Sequence, residues 1–238
     1  MPESRLQLTD DPSAFPSEPP ADLDDPLRIA AHDLAAFAAV DIMLNHWDRP
    51  GWSEQTRAYY WMLTFPNAPA LTDLARHCHH RLAPLGLDPV PLDALHTTLT
   101  RVAHSGELPP ERLDALLQAT ALALPPAFTV HGIPLAGSRG AVRLSLAPWT
   151  PILRLHAALS DAMITSGLAP RKPTALLRPH LSLAYNNRQR PAAPVIDAVA
   201  TLRDLPPVDL PVRDVQLVEL RRENRAYRWD VIKSLPLS

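Results

Sequence analysis

Two tetrapeptides hold the side chains best suited to chemistry. His96-Thr97-Thr98-Leu99 and His180-Leu181-Ser182-Leu183 share the pattern His-x-(Thr/Ser)-Leu and stand 84 residues apart. Side chains alternate on a strand, so His96 shares a face with Thr98 and His180 with Ser182, while Leu99 and Leu183 turn toward apolar packing. An imidazole titrates near pH 6.5, so a neutral one takes a proton from water and a protonated one gives a proton to a departing ribose oxygen. The two hydroxyls are donors for the non-bridging oxygens on which charge builds. Phosphodiester chemistry wants that set, and proton transfer stands where a metal would otherwise act. A single such tetrapeptide is a weak signal. A pair at matching places in a repeat is a stronger one.

The elements around the motifs do repeat. Residues Tyr59 to Phe65 read as an aromatic strand ending at Pro66, Ala68 to Leu82 as a helix, and Leu95 to Val102 as a strand carrying His96. Further on, Ala141 to Ala147 read as a strand ending at Pro148, Pro151 to Ser166 as a helix, and His180 to Tyr185 as a strand. Phe65 to His96 spans 31 residues and Ala147 to His180 spans 33, so one β-α-β unit is used twice. Two such lobes can pack about a pseudo-twofold axis with the histidine strands facing across a cleft. The other expected elements are a helix over Pro109 to Leu124, a strand over Phe128 to Leu135, a helix over Pro194 to Leu205, and closing strands at Val212 to Leu220 and Tyr227 to Leu235.

Ahead of the repeat, residues 1–26 carry seven acids, one base and six prolines, and read as a disordered tail. Leu27 to about Asn45 reads as an amphipathic helix after the Asp25-Pro26 start signal, followed by a Pro-Gly loop to residue 57. The expected organisation is a tail over 1–26, a helical extension over 27–57, and a bilobal domain over 58–238.

Composition bounds the rest. The 238 residues are 46% apolar and 20% charged, which suits a buried core. No run approaches the roughly 20 apolar residues of a spanning helix, and residues 1–26 lack the features of a secretory signal. With a single cysteine, Cys78, no internal disulfide forms, and a cytoplasmic location is expected. Outside the tail there are 18 acids and 22 bases, a mild excess that suits a phosphate-bearing ligand and falls short of a duplex-DNA binder.

The paired motifs, their spacing and the closing strand pair around Arg225 resemble the 2H phosphoesterase superfamily, over about Tyr59 to Leu235. More narrowly the chain is similar to the 2′-5′ RNA ligase-like branch. The resemblance implies an α+β fold of two pseudo-symmetric β-α-β lobes, with antiparallel sheets flanking a central cleft. It implies an enzyme that acts without metal or cofactor on a 2′,3′-cyclic phosphate or a 2′-5′ linkage of a nucleotide or RNA end. Catalytic roles follow for His96 and His180, and phosphate contacts for Thr98 and Ser182. It also points to Trp61 as a base-contacting aromatic, and to Arg101 and Tyr185, each five places after a histidine. Simple alternation turns those two away from the cleft, so each strand needs a bend. A 2′-5′ RNA ligase using the same site and a non-catalytic RNA-end or nucleotide-binding module are the alternatives.

The remaining signals read more plainly. Arg76-His77-Cys78-His79-His80-Arg81 lacks a second ligand pair and reads as a solvated helical face, not a metal site. Trp47 and Trp52 read as cover for core apolar surface. Arg143, Arg221, Arg222, Arg225 and Arg228 read as solvated strand faces. A monomer without membrane association is expected.

Overall fold

The computed structural model describes residues 6–48 and 50–238. In chain order its main elements are α1 (Pro26–Ala38), β1 (Ile42–Met43), β2 (Ala58–Thr64), α2 (Pro69–Leu82), β3 (Asp88–Pro89), β4 (His96–His104), α3 (Pro110–Ala123), β5 (Phe128–Gly137), β6 (Ala141–Ala147), α4 (Thr150–Thr165), β7 (His180–Tyr185), β8 (Arg190–Pro191), α5 (Ala193–Ala200), β9 (Val208–Val212), β10 (Asp214–Glu223) and β11 (Ala226–Pro236). Among the described residues, every one of these α-helices has proline in its first turn. There the missing N–H costs nothing and the ring fixes a helical φ, which gives part of the proline excess a structural role.

The fold is α+β with antiparallel sheets. One sheet runs β11-β10-β2-β4 and another β3-β7-β6-β5-β9, with every neighbour antiparallel. Each repeat places its two strands side by side, β2 with β4 and β6 with β7. The helices cross over: α2 lies against β7 and β9, whereas α4 lies against β4. Each repeat's helix therefore packs on the other repeat's sheet, and the buried apolar side chains form one continuous cluster. The two histidine strands, β4 and β7, also meet each other.

The N-terminal segments depart from the sequence expectation. Helix α1 stops at Ala38 rather than near Asn45, because Ile42 and Met43 pair with Pro191 and Arg190. Pairing with a distant segment overrides the local helical pattern there. The segment read as disordered is laid against the body over residues 6–25, while Met1 to Arg5 lie outside the described residues. Arg178 donates to the carbonyls of Thr9, Pro16 and Ser17 at 2.7, 3.1 and 2.9 Å. The Asp24 carboxylate accepts from the backbone N–H and hydroxyl of Thr150 at 3.1 and 2.8 Å, filling orphan donors at the start of α4. These polar partners lie some 120 or more residues away in the chain, so local composition does not reveal them.

Candidate active site

Both histidines open their strands, and both are oriented in the same way. Nδ1 of His96 lies 2.8 Å from the carbonyl oxygen of Ala94, and Nδ1 of His180 lies 2.8 Å from that of Arg178. A carbonyl only accepts, so Nδ1 carries the hydrogen in each ring and proton transfer falls to Nε2. The environments differ. His96 is buried, with Trp229 at 5.2 Å between ring centroids and Tyr227 at 6.2 Å, both nearly edge-on. Loss of water around it lowers its pKa below the usual 6.5, partly offset by the Ala94 hydrogen bond. His180 is half-buried.

Both strands bend within the motif, as the resemblance requires for the residues five places after each histidine, although only Tyr185 of those two reaches the cavity. The β2–β4 register steps from Met62 opposite Thr98 to Trp61 opposite Thr100, skipping Leu99. The β6–β7 register steps from Arg143 opposite Ser182 to Val142 opposite Ala184, skipping Leu183. In each motif the leucine is thus the extra residue of a β-bulge, and the side chains after it exchange faces. That brings Tyr185 onto the face of His180 and Ser182.

One cavity of ≈ 420 Å³ gathers His96, Thr98, His180, Ser182 and Tyr185. Two sequence candidates fall outside it. Trp61 is fully buried on the inner strand β2, across from Leu217 and Thr100, and belongs to the core. Its neighbour Tyr60 is the aromatic of that strand that reaches the cavity. Arg101 sits half-buried opposite Tyr60 but does not line the cavity.

The cavity also recruits residues that the sequence reading set aside. Arg143 stands opposite Ser182 and is 3% exposed rather than a solvated strand residue. Burial pulls its pKa down and Asp33 pulls it back up. Asp33, from α1, lies 3.4 Å from Arg143 Nη2 and accepts from Ser145 Oγ at 2.6 Å. Trp52 lines the cavity too, together with His46 and Tyr227. His46 stacks on Tyr185 at 3.9 Å, Trp47 meets Tyr185 and Tyr227 edge-on or tilted at 5.2 and 5.5 Å, and the Arg222 guanidinium lies over Trp52 at 4.8 Å. The clustering of His46, Trp47 and Trp52 ahead of the repeat was the available signal, but their destination depends on β7 and β11.

The histidine-rich run is not a uniformly solvated face. Cys78 points into the core, where burial pushes its thiol up to about 11, and His79 lies 2.8 Å from the carbonyl of Leu183. Among the described residues, no three His, Cys, Asp or Glu side chains come together as a metal-binding group.

A family model described as the 2′-5′ RNA ligase superfamily matches residues 66–224, which hold both motifs, the whole five-stranded sheet and strands β4 and β10 of the four-stranded one. The chain belongs to the 2′-5′ RNA ligase superfamily. Its fold is that of solved 2H phosphoesterase structures. LigT of E. coli, solved with NADP+, is 20% identical and superposes with a TM-score of 0.56, over 78% of this chain and 99% of LigT. LigT solved with 3′-AMP gives 18% identity and a TM-score of 0.56 over the same shares. TT0787 of Thermus thermophilus is 20% identical with a TM-score of 0.55, over 76% of this chain and 97% of that one. No curated protein matches the sequence. The superfamily model begins after β2 and ends before β11, so α1, the Trp47–Trp52 loop, Tyr60 and Tyr227 lie outside the residues it matches. No helix among the described residues is long and apolar enough to cross a membrane.

Proposed function

We propose that the chain is a metal-independent phosphoesterase that opens a 2′,3′-cyclic phosphate or a 2′-5′ phosphodiester of a nucleotide or RNA end. The observation that carries this reading is the matched pair of Nδ1-to-carbonyl hydrogen bonds on two histidines sharing one cavity. Each ring is held so that Nε2 is its exchangeable nitrogen. His96, kept neutral by burial, acts as general base on the attacking water. Water oxygen bonds to phosphorus, the bond from phosphorus to one ribose oxygen breaks, and His180 delivers a proton from Nε2 to that oxygen. Thr98 and Ser182 donate to the non-bridging oxygens, and the nearby Arg143 guanidinium favours the added negative charge.

The aromatic side chains at the end of β7 suit a nucleobase beside the phosphate. The complex of LigT with 3′-AMP is consistent with a nucleotide ligand of this kind. Opening of the cyclic phosphate at the same site by a 5′-hydroxyl in place of water, which joins the 5′ oxygen to phosphorus and releases the 3′ ribose oxygen, is RNA ligation.

The deciding experiment assays cyclic nucleotides, 2′-5′-linked dinucleotides and cyclic-phosphate-ended RNA, the last with and without a 5′-hydroxyl partner, and identifies each product. EDTA is expected to leave turnover unchanged. His96→Ala and His180→Ala are each expected to lower kcat by about 10²–10⁴ while circular dichroism stays that of the parent. Full activity in either variant rejects the mechanism, and tight nucleotide binding without product points to a binding module.

A further inference from the structure

We propose that residues 6–25 form a specificity wall that admits a cyclic phosphate on a single nucleotide and excludes a polynucleotide bearing the same end. This rests on the phosphoesterase reading and narrows its substrate.

Ser13, Ala14 and Phe15 line the cavity that holds His96 and His180. They are not a loose flap. Thr9 donates its N–H to Ala175 at 3.0 Å, and Arg143 Nη1 donates to the Phe15 carbonyl at 3.1 Å with its guanidinium 5.3 Å from the Phe15 ring centre. Asp11 sits 3.3 Å from the Lys172 ammonium, and the three Arg178 bonds clamp the middle of the segment. Arg143, Lys172 and Arg178 all face the cavity. The wall engages each of them and leaves Arg143 and Arg178 buried, so neither offers a free face to the further phosphates of a longer strand.

Arg178, which holds the wall, stands just before β7, and Tyr185 of the aromatic group closes that strand, so the wall and the aromatics lie at opposite ends of the His180–Ser182 stretch. The ≈ 420 Å³ cavity that they share is of small-ligand size. Charge acts in the same sense. Residues 6–25 contain six acids and no base, and a polyanion brought within about 8 Å of them meets repulsion that physiological salt only partly screens.

The test uses the full chain. Nucleoside 3′-monophosphates and a hexanucleotide ending in a 3′-phosphate are titrated as inert ligands. The corresponding cyclic phosphates, mononucleotide and hexanucleotide, are compared as substrates. The wild-type protein is expected to bind the monophosphate at least about tenfold more tightly than the hexanucleotide. In the variant Asp10→Asn/Asp11→Asn/Phe15→Ala that preference is expected to shrink at least about fivefold, with the substrate ratio moving in step. Equal wild-type affinities, or an unchanged ratio in a folded variant, overturn the proposal. If the variant does not fold, the wild-type preference alone decides. Because the binding ratio needs no turnover, failure of the phosphoesterase reading appears separately, as absence of product from either substrate.

Discussion

Arg178 links the N-terminal segment to the catalytic candidate His180: its guanidinium holds the carbonyls of Thr9, Pro16 and Ser17, and its own carbonyl accepts from His180 Nδ1 at 2.8 Å. Residues distant in the chain are thereby tied through one buried arginine to the ring that is proposed to donate the proton. His96 has the same carbonyl bond from Ala94 but, among the described residues, no comparable link to the N-terminal segment. The two imidazoles are alike in orientation and unlike in surroundings, which is the condition for one to serve as base and the other as acid.

The pH–rate profile follows from that difference. A general base works unprotonated, so the acid limb of kcat/KM reports His96. Burial places its pKa below 6.5, so activity persists below that pH and is lost as the pH falls through the lowered value. Trp229→Ala opens one side of the His96 ring to water, which brings its pKa back toward 6.5 and moves the acid limb to higher pH. Initial rates of both proteins between about pH 4 and 9 check this, and an acid limb that does not move in the variant contradicts the assignment.

The Asp33–Arg143–Ser145 group is a stability prediction. Asp33→Leu removes the carboxylate facing a guanidinium that is 3% exposed, and leaves Ser145 Oγ without its acceptor. The cost expected from denaturant unfolding is about 3–5 kcal/mol, the penalty of an uncompensated buried charge. Asp33→Leu/Arg143→Met is expected to recover most of it, because the pair is then removed together. Additive losses in the double variant contradict a coupled buried pair.

Helix α1 carries Asp33 to this position by resting on Gly137 of β5. A Cβ built at Gly137 meets the Phe37 ring at 2.5 Å, far closer than packed carbons approach. Gly137→Ala is therefore expected to destabilise the fold by about 1–3 kcal/mol. Phe37→Leu in the same chain supplies space, so the double variant should lose less than the sum of the two single changes. Thermal unfolding of the four proteins measures the coupling.

Much of this was legible in the sequence because it is local. Period-two alternation put His96 beside Thr98 and His180 beside Ser182, and the repeat put the two pairs on equivalent strands. Proline at helix starts and turn residues between strands marked most of the main elements, though not the short strands β1, β3 and β8 nor β9. Trp61 and Tyr60 show where local reading stops. Both are aromatic and adjacent on one strand, and which of them reaches the cavity depends on a bulge in the neighbouring strand and on which sheet face is covered. Arg143 in a β-strand has the same ambiguity, resolved only when α1 brings Asp33 over it.

By itself the sequence determined the chemistry-bearing pairs, their strands and the duplication, since these follow from neighbours within a few residues and from spacing. The tertiary structure alone decided that residues 6–25 are ordered, that His96 is the desolvated imidazole, and which aromatics and cations line the cavity with the two histidines. Those outcomes depend on burial and on hydrogen bonds between segments more than 100 residues apart, and no local pattern of residue types encodes such partners.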